Sequence, residues 1–380
     1  MLSSAVASPP LRLDATQVAA FRMARHHLEH PAPRRSMVAV AGHVCGVQAQ
    51  VMSAAELALR TRVRGLRRQD VREALWRDRT LVKTWCMRGT VHLLPSTDLP
   101  VFLRGLRQRE SRTFAWLVRG GLSAQGIEDS VRAIVRALRD GPLLRRELAD
   151  RVGRDVGAMA RRWVAHSWGG VVRVACARGL VCFGPDRGNE VSFVRMEDWL
   201  PSWEDLPVPE AEAQLLKRYL RAYGPATRAD YGLWTNLAAA EVREAWAMVE
   251  GSLAPTETGG RPGWMLQEDL GAMKRTGPEG PVVRLLPNFD VLLLGHRDKS
   301  HLVAAVHYKR VYRKAGWLSP TILVDGRVLG VWSHRRTGER LEVILEPFHH
   351  LSKAVWRGVE AEVEDLSRFL EASRSEMHVS

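Results

Sequence analysis

Apolar residues recur at helical spacing through the first sixty positions, and again over 127–167 and 209–249. From about Arg284 onward they fall into short strand-like runs bounded by turns. Asp14 followed three residues later by Gln17 predicts a capping box, with Leu13 and Val18 placed to staple it, and the helix it opens runs to about His30 before Pro31-Ala32-Pro33. Ser36 is positioned to cap a second helix ending near Gly46, and Ser53 with Glu56 forms a further capping-box pattern for a third through Leu57. A helical segment at 70–77 then precedes "LVKTWCMRGTVHLLP", which reads as strands 81–87 and 90–94 around an Arg88-Gly89 turn. Short helices followed by a hairpin are the order of a winged helix.

The order recurs. Helices are expected at 127–140, 141–152 and 158–167, after which "VVRVACARGLVCFG" reads as a hairpin turning near Arg178-Gly179. A third round has helices at 209–223 and 239–249 with "GPATRADYGLWTNL" between them, and Gly141-Pro142 and Gly224-Pro225 open matching segments. The Gly-rich run 256–280 is expected to be a linker or an extended wing. Beyond it, "VVRLLPNFDVLLLG", "HLVAAVHY", "TILVDGRVLGVWSH" and "LEVILEPF" read as strands, with Asp325-Gly326 a strong hairpin turn, and 351–371 reads as an amphipathic final helix. The expected class is α+β, with three tandem winged-helix units (1–120, 121–205, 206–280) and a C-terminal β-barrel-like module with its terminal helix (281–380).

Charge sharpens this picture. The chain carries a net charge of +14, and 60–119 alone holds 15 Lys and Arg against 5 Asp and Glu. Such an excess suits a polyanion, because neutralised phosphates release counterions; an arginine-rich genome is the plainer alternative. Cys45, Cys86, Cys176 and Cys182 show neither CxxC spacing nor a disulfide pattern, which fits a reducing compartment. His26–His27 and His349–His350 lack the spacing that sets two rings on one helical face, so neither metal nor cofactor is expected. The N-terminal residues show no charged leader, and no run is apolar enough to span a bilayer, so the expectation is a cytoplasmic protein with no membrane contact.

Candidate chemistry centres on "VQAQVM" between Gly46 and Ser53. If this connector is extended, Val47, Ala49 and Val51 face the core while Gln48 and Gln50 project together. Two carboxamides on one face can hold a water by donating to it and accepting from it; the other reading is that they satisfy buried backbone groups in a tight turn. Arg88 at a hairpin tip, beside Lys83 and His92, suits a phosphate or a groove, or else is simply solvated. Lys309 and Arg310 in "HYKRVYRK" form a second basic candidate. Asp290, Arg297 and Asp298 read as an ion pair or turn cap, and Trp85, Trp116, Trp163 and Trp168 as core. Phosphate-loop, nucleophile-elbow and HExxH patterns do not occur. Closely spaced carboxylates for a metal-dependent nuclease are not found in the basic N-terminal half.

Taken in order, "GVQAQ", "TWCMRGTVHLLP", "LLPNFDVLLLGHRD" and "VDGRVLGVW" resemble the AlkZ-type winged-helix DNA glycosylases, over roughly 14–350. The resemblance implies three winged helices plus a C-terminal β-barrel, and a Gln–aliphatic–Gln or Gln–aliphatic–Asp catalytic motif matched here by Gln48, Ala49 and Gln50. The Gln/Gln branch is similar to self-resistance enzymes that remove bulky DNA adducts or unhook crosslinks. It implies a monofunctional glycosylase, acting as a monomer on double-stranded DNA carrying alkylated guanine and leaving an abasic site. A non-catalytic winged-helix regulator is the alternative, and it would protect one sequence rather than create alkali-labile sites.

Overall fold

The computed structural model describes residues 9–107, 109–200, 205–274 and 280–380. The chain groups into two compact units, one comprising Met1–Arg68, Leu216–Trp234 and Ala238–Ser380, the other Gln69–Leu215 and Thr235–Leu237. The division differs from the four consecutive segments expected, since it cuts the first of them near Arg68 and runs through the helix Val208–Tyr223. Part of the expected 256–280 linker, 275–279, lies outside the described residues.

In the first unit the opening helix, Ala15–Arg25, carries the capping box read from Asp14 and Gln17, and it is shorter than expected. The N-terminal strand Leu11–Leu13 pairs parallel with Leu253–Thr258, which pairs antiparallel with Arg261–Leu266 across a Gly259-Gly260 turn. The supposed linker therefore begins as a hairpin. A five-stranded sheet follows in the order Val283–Leu286, Thr321–Val324, Arg327–Thr337, Arg340–Pro347, Arg374–Val379. Its Asp325-Gly326 turn has both residues at positive φ, the conformation this dipeptide favours. The final strand, unforeseen in the sequence, runs parallel to Arg340–Pro347.

The sheet is open, so the barrel-like expectation is corrected: its strand order is linear and does not close among the described residues. One reason is that "HLVAAVHY" forms no strand. It folds as a turn, a 3-10 segment Ala305–His307 and a helical turn Tyr308–Val311, with Leu302 and Val303 buried but Val306 81% exposed. The turn is closed by the Lys299 carbonyl, which accepts from the N–H groups of Leu302 and Val303. The helix Lys353–Phe369 covers the edge strand Val283–Leu286. A Cβ at Gly358 would meet Val283 at 2.6 Å, so glycine is what permits this approach. The core joins Met23 and Leu28 to Leu286, Leu293, Leu323 and Val331.

The second unit is mainly helical: Ala124–Ala137, Arg145–Val156 and Ala158–Ala165 precede a hairpin of Val181–Arg187 and Glu190–Arg195. The expected turn at Arg178-Gly179 is corrected, because "VVRVACA" is the helix Val172–Ala177. Its apolar run is buried almost throughout, and a continuously buried segment has no period to separate helix from strand. Trp85 packs with Phe183 and Phe193, and Trp163 lies buried beneath Gly120. Trp116 is half-buried and Trp168 is 61% exposed, so the core reading fails for Trp168.

Candidate active site

The helix Met37–His43 ends in a Schellman arrangement, with Cys45 N–H donating to the carbonyl of Gly42 and Gly46 N–H to that of Ala41. Cys45 and Gly46 both take positive φ, which turns the chain sharply into Val47–Gln48. The connector bends again at Gln50, and the next helix, Met52–Arg60, begins after an extended Val51. Ser53 does not cap it, and Glu56 instead accepts from Arg68 at 2.9 Å. A buried carboxylate with a guanidinium partner has a stronger bond there than in a capping box.

Within the connector Val47 and Ala49 are buried, as alternation predicts, but Gln48 is also buried, at 7% exposed, while Gln50 is exposed. The regular strand stops at Gln48, so period two cannot be extended to Gln50. The result is one sunken and one surface carboxamide, two residues apart.

Buried groups of the first unit hold the segments on either side of this stretch. Before it, the Tyr223 hydroxyl donates to the carbonyl of Val44 at 3.2 Å. After it, Arg60 donates to Glu362 at 3.0 Å and Asp365 at 2.9 Å. Arg62 forms a bidentate pair with Asp290, both bonds 2.7 Å and both side chains fully buried. Asp290 also accepts from Leu292 N–H, so it is ion pair and turn cap together. Nearby, His27 and His43 rings stack with their nitrogens 2.9 Å apart, and burial, more than the neighbouring His43 and Arg62, lowers the His27 pKa to about 4. A connector between two anchored helices presents its side chains with less reorganisation than a free loop.

The basic candidates separate by burial. In the hairpin Leu81–Trp85 and Val91–Pro95 every position is buried, so it is no solvated wing except at its tip. Lys83 is buried, 3.4 Å from Asp186 and 5.0 Å from the Phe183 ring, and His92 is wholly buried; the expectation that they present charge to DNA is corrected. His92 donates from Nδ1 to the Thr90 carbonyl, leaving Nε2 to accept from the Arg88 guanidinium at 3.3 Å. Arg88 itself is half-buried at positive φ, at the tip where the sequence placed it. In the first unit Lys309 and Arg310 are exposed, and Arg310 pairs with Glu346 at 2.9 Å and lies over the Phe348 ring. No group of three or more His, Cys, Asp or Glu placed to hold a metal ion occurs among the described residues.

The family model for DNA glycosylase AlkZ-like proteins matches residues 41–369. This chain belongs to the AlkZ-like DNA glycosylase family. It is thus a DNA glycosylase, a hydrolase of N-glycosidic bonds. A relative from Streptomyces sahachiroi, the "Interstrand DNA cross-link repair glycosylase", is 34% identical over 370 residues, covering 94% of this chain and 97% of that one. The solved structure of Streptomyces sahachiroi DNA glycosylase AlkZ superposes with a TM-score of 0.86 at 30% identity, covering 97% of this chain and all of that one. The AlkZ-like match includes the glutamine stretch and the groups that clamp it. Of these supports, Asp290 was visible in sequence as an ion-pair candidate; Arg60, Arg62 and Tyr223 were not, since their partners lie between 179 and 305 residues away. None of the helices among the described residues is long and apolar enough to cross a membrane.

Proposed function

We propose that this glycosylase hydrolyses the N-glycosidic bond of N7-alkylguanine in double-stranded DNA, with Gln48 and Gln50 positioning the water. N7 alkylation makes guanine cationic, so the C1′–N9 bond breaks with its electron pair neutralising the departing base. Little general-acid help is needed. Water attacks the oxocarbenium-like C1′, forms the C1′–O bond and loses a proton to solvent, leaving an abasic site and an uncut strand. The enzyme's task is placement and electrostatic support, which amide groups can supply without taking the proton.

The observation that carries this reading is the glutamine pair, one buried and one exposed, on a connector that follows the turn tied by Tyr223 and leads into the helix whose far end is anchored by Arg60 and Arg62. The substrates are bulky adducts and crosslinks made by a DNA-alkylating natural product, and the biological role is self-resistance of a producer. The name of the Streptomyces relative supports the crosslink part. Exposed Lys309 and Arg310, with Arg88, contact the phosphates, the repeated helix–hairpin order supports three winged-helix units, and the enzyme works as a monomer in the cytoplasm. A lesion that bridges strands is reached in the groove rather than flipped into a tight pocket.

The test is incubation with duplexes carrying one N7-methylguanine, one bulky N7 adduct or an N7-linked crosslink, followed by hot alkali. Strand scission only after alkali is expected for all three, with the bulky lesions processed at least as well as the methylated base. No alkali-labile sites in any of them contradicts the reading.

A further inference from the structure

The chain leaves the core of the first unit at Val311 and returns to it at Leu318, and every residue from Arg313 to Trp317 between them is exposed. Tyr312 and Leu318 pair across the base of this turn. The Arg313 N–H donates to the carbonyl of Trp317 at 2.8 Å, and the Trp317 N–H to that of Lys314 at 3.3 Å, so Arg313, Lys314 and Trp317 rise from five consecutive residues closed on themselves. At the apex Ala315 and Gly316 both take positive φ, which alanine adopts only where surrounding bonds hold it. Trp317 stays 47% exposed, although an indole has more to gain from burial than most side chains. Its ring is nonetheless anchored. It packs edge to face on Phe289, with centroids 5.0 Å apart and planes at 79°, and Phe289 packs against the core. An edge-to-face contact occupies at most one face of the indole, and no other aromatic ring lies against it among the described residues.

The charge carried by this stretch of chain is of one sign. From Lys299 to Val324 it has five Lys or Arg and no Asp or Glu. Arg310 pairs with Glu346, whereas Lys309, Arg313 and Lys314 meet no carboxylate among the described residues. Cations beside an anchored and open aromatic face suit a single strand of nucleic acid: the charges neutralise its phosphates, and the ring stacks on a base of any identity. A base inside a duplex is covered on both faces by its neighbours. Such a ring therefore distinguishes unpaired bases from paired ones.

We propose that the 313–317 turn is a stacking platform for an unpaired DNA base, with Trp317 taking the base and Arg313 and Lys314 the flanking phosphates, so that the enzyme holds a strand opened beside a bulky lesion. The inference rests on the reading of neighbouring Lys309 and Arg310 as phosphate contacts, and not on the glutamine chemistry. Its test uses undamaged single strands, so failure of the proposed base release leaves it standing or falling on its own result. Fluorescence anisotropy of the full chain compares a twelve-nucleotide thymidine strand with a strand of equal length made of tetrahydrofuran abasic spacers, which has the same phosphates and no bases. The thymidine strand is expected to bind about tenfold more tightly, within the range for one stacked base. Trp317→Leu, which keeps an apolar contact for Phe289 but has no π face, should bring the two affinities within about twofold while leaving the spacer strand bound as before. Trp317→Phe should keep most of the difference. Replacing Arg313 and Lys314 with alanine should weaken both strands alike and lower the salt slope by about 0.7 for each phosphate no longer neutralised. Equal affinity of the parent for the two strands, or a thymidine preference that Trp317→Leu leaves intact, would each overturn the proposal.

Discussion

Arg62 and Arg310 both meet a carboxylate at hydrogen-bond distance, 2.7 Å to Asp290 and 2.9 Å to Glu346, yet their settings are opposite. The first pair is wholly buried behind the helix that follows the glutamine connector, and Asp290 is further tied to the backbone at Leu292. The second stands about 40% exposed on the basic 308–314 segment. Water screens an exposed pair and competes with it, whereas a buried charge with its partner removed has nowhere to go. The contrast separates two tasks: buried charge fixes where the candidate chemistry sits, and exposed charge remains available to a polyanion.

The largest expected effect lies on the buried side. Asp290→Ala should destabilise the protein by about 3–5 kcal/mol, because Arg62 is left charged and unpaired in the interior. Glu346→Ala should cost less than about 1 kcal/mol. Denaturant unfolding of both variants checks the pair, and equal losses would break the comparison.

Acid is the next lever. His26, His27, His296 and His301 all lie in the first unit with pKa values below the ordinary 6.5, His27 at about 4 and His301 at about 3, chiefly because burial disfavours the charged ring. In the unfolded chain these rings take up protons as pH falls through 6.5, while the folded chain resists until lower pH. Stability is therefore full above pH 6.5 and is lost progressively below it. Thermal midpoints measured from pH 8 to pH 4.5 should fall only in the lower part of that range, and a midpoint that rises on acidification would show the rings are not held neutral.

A smaller effect belongs to the exposed side. Replacing Lys309 and Arg310 together with alanine should weaken DNA binding equally across sequences and reduce the salt slope by about 0.9 for each phosphate no longer neutralised. Folding stability and single-turnover base release at saturating enzyme should stay as in the parent. An unchanged slope would remove these residues from the interface.

What could be read from sequence followed the range of the forces involved. The Asp14–Gln17 box and the Asp325-Gly326 turn were legible because their determinants lie within three residues of each other. The fate of "VVRVACA" and "HLVAAVHY" was not, since a buried apolar run lacks a period and the second is turned at its start by Leu302 and Val303 N–H groups donating to the Lys299 carbonyl. Ser53 offered a cap, but the pull of Arg68 on Glu56 prevailed. The glutamines were found as a motif, while the depth of Gln48 depended on long-range packing that alternation does not contain. Lys83 and His92 were misread for a related reason: a strand buried on both faces offers its polar residues only internal partners.

The central claim is that Gln48 and Gln50 place the attacking water. It is tested most directly by single-turnover release of N7-methylguanine from duplex DNA by Gln48→Ala and Gln50→Ala, alongside their DNA affinities. The account predicts rates lower by about 10²–10³ for at least the buried Gln48, the range for losing one preorganised polar group, with affinity within a few-fold of the parent. Release at the parental rate by both variants would contradict it.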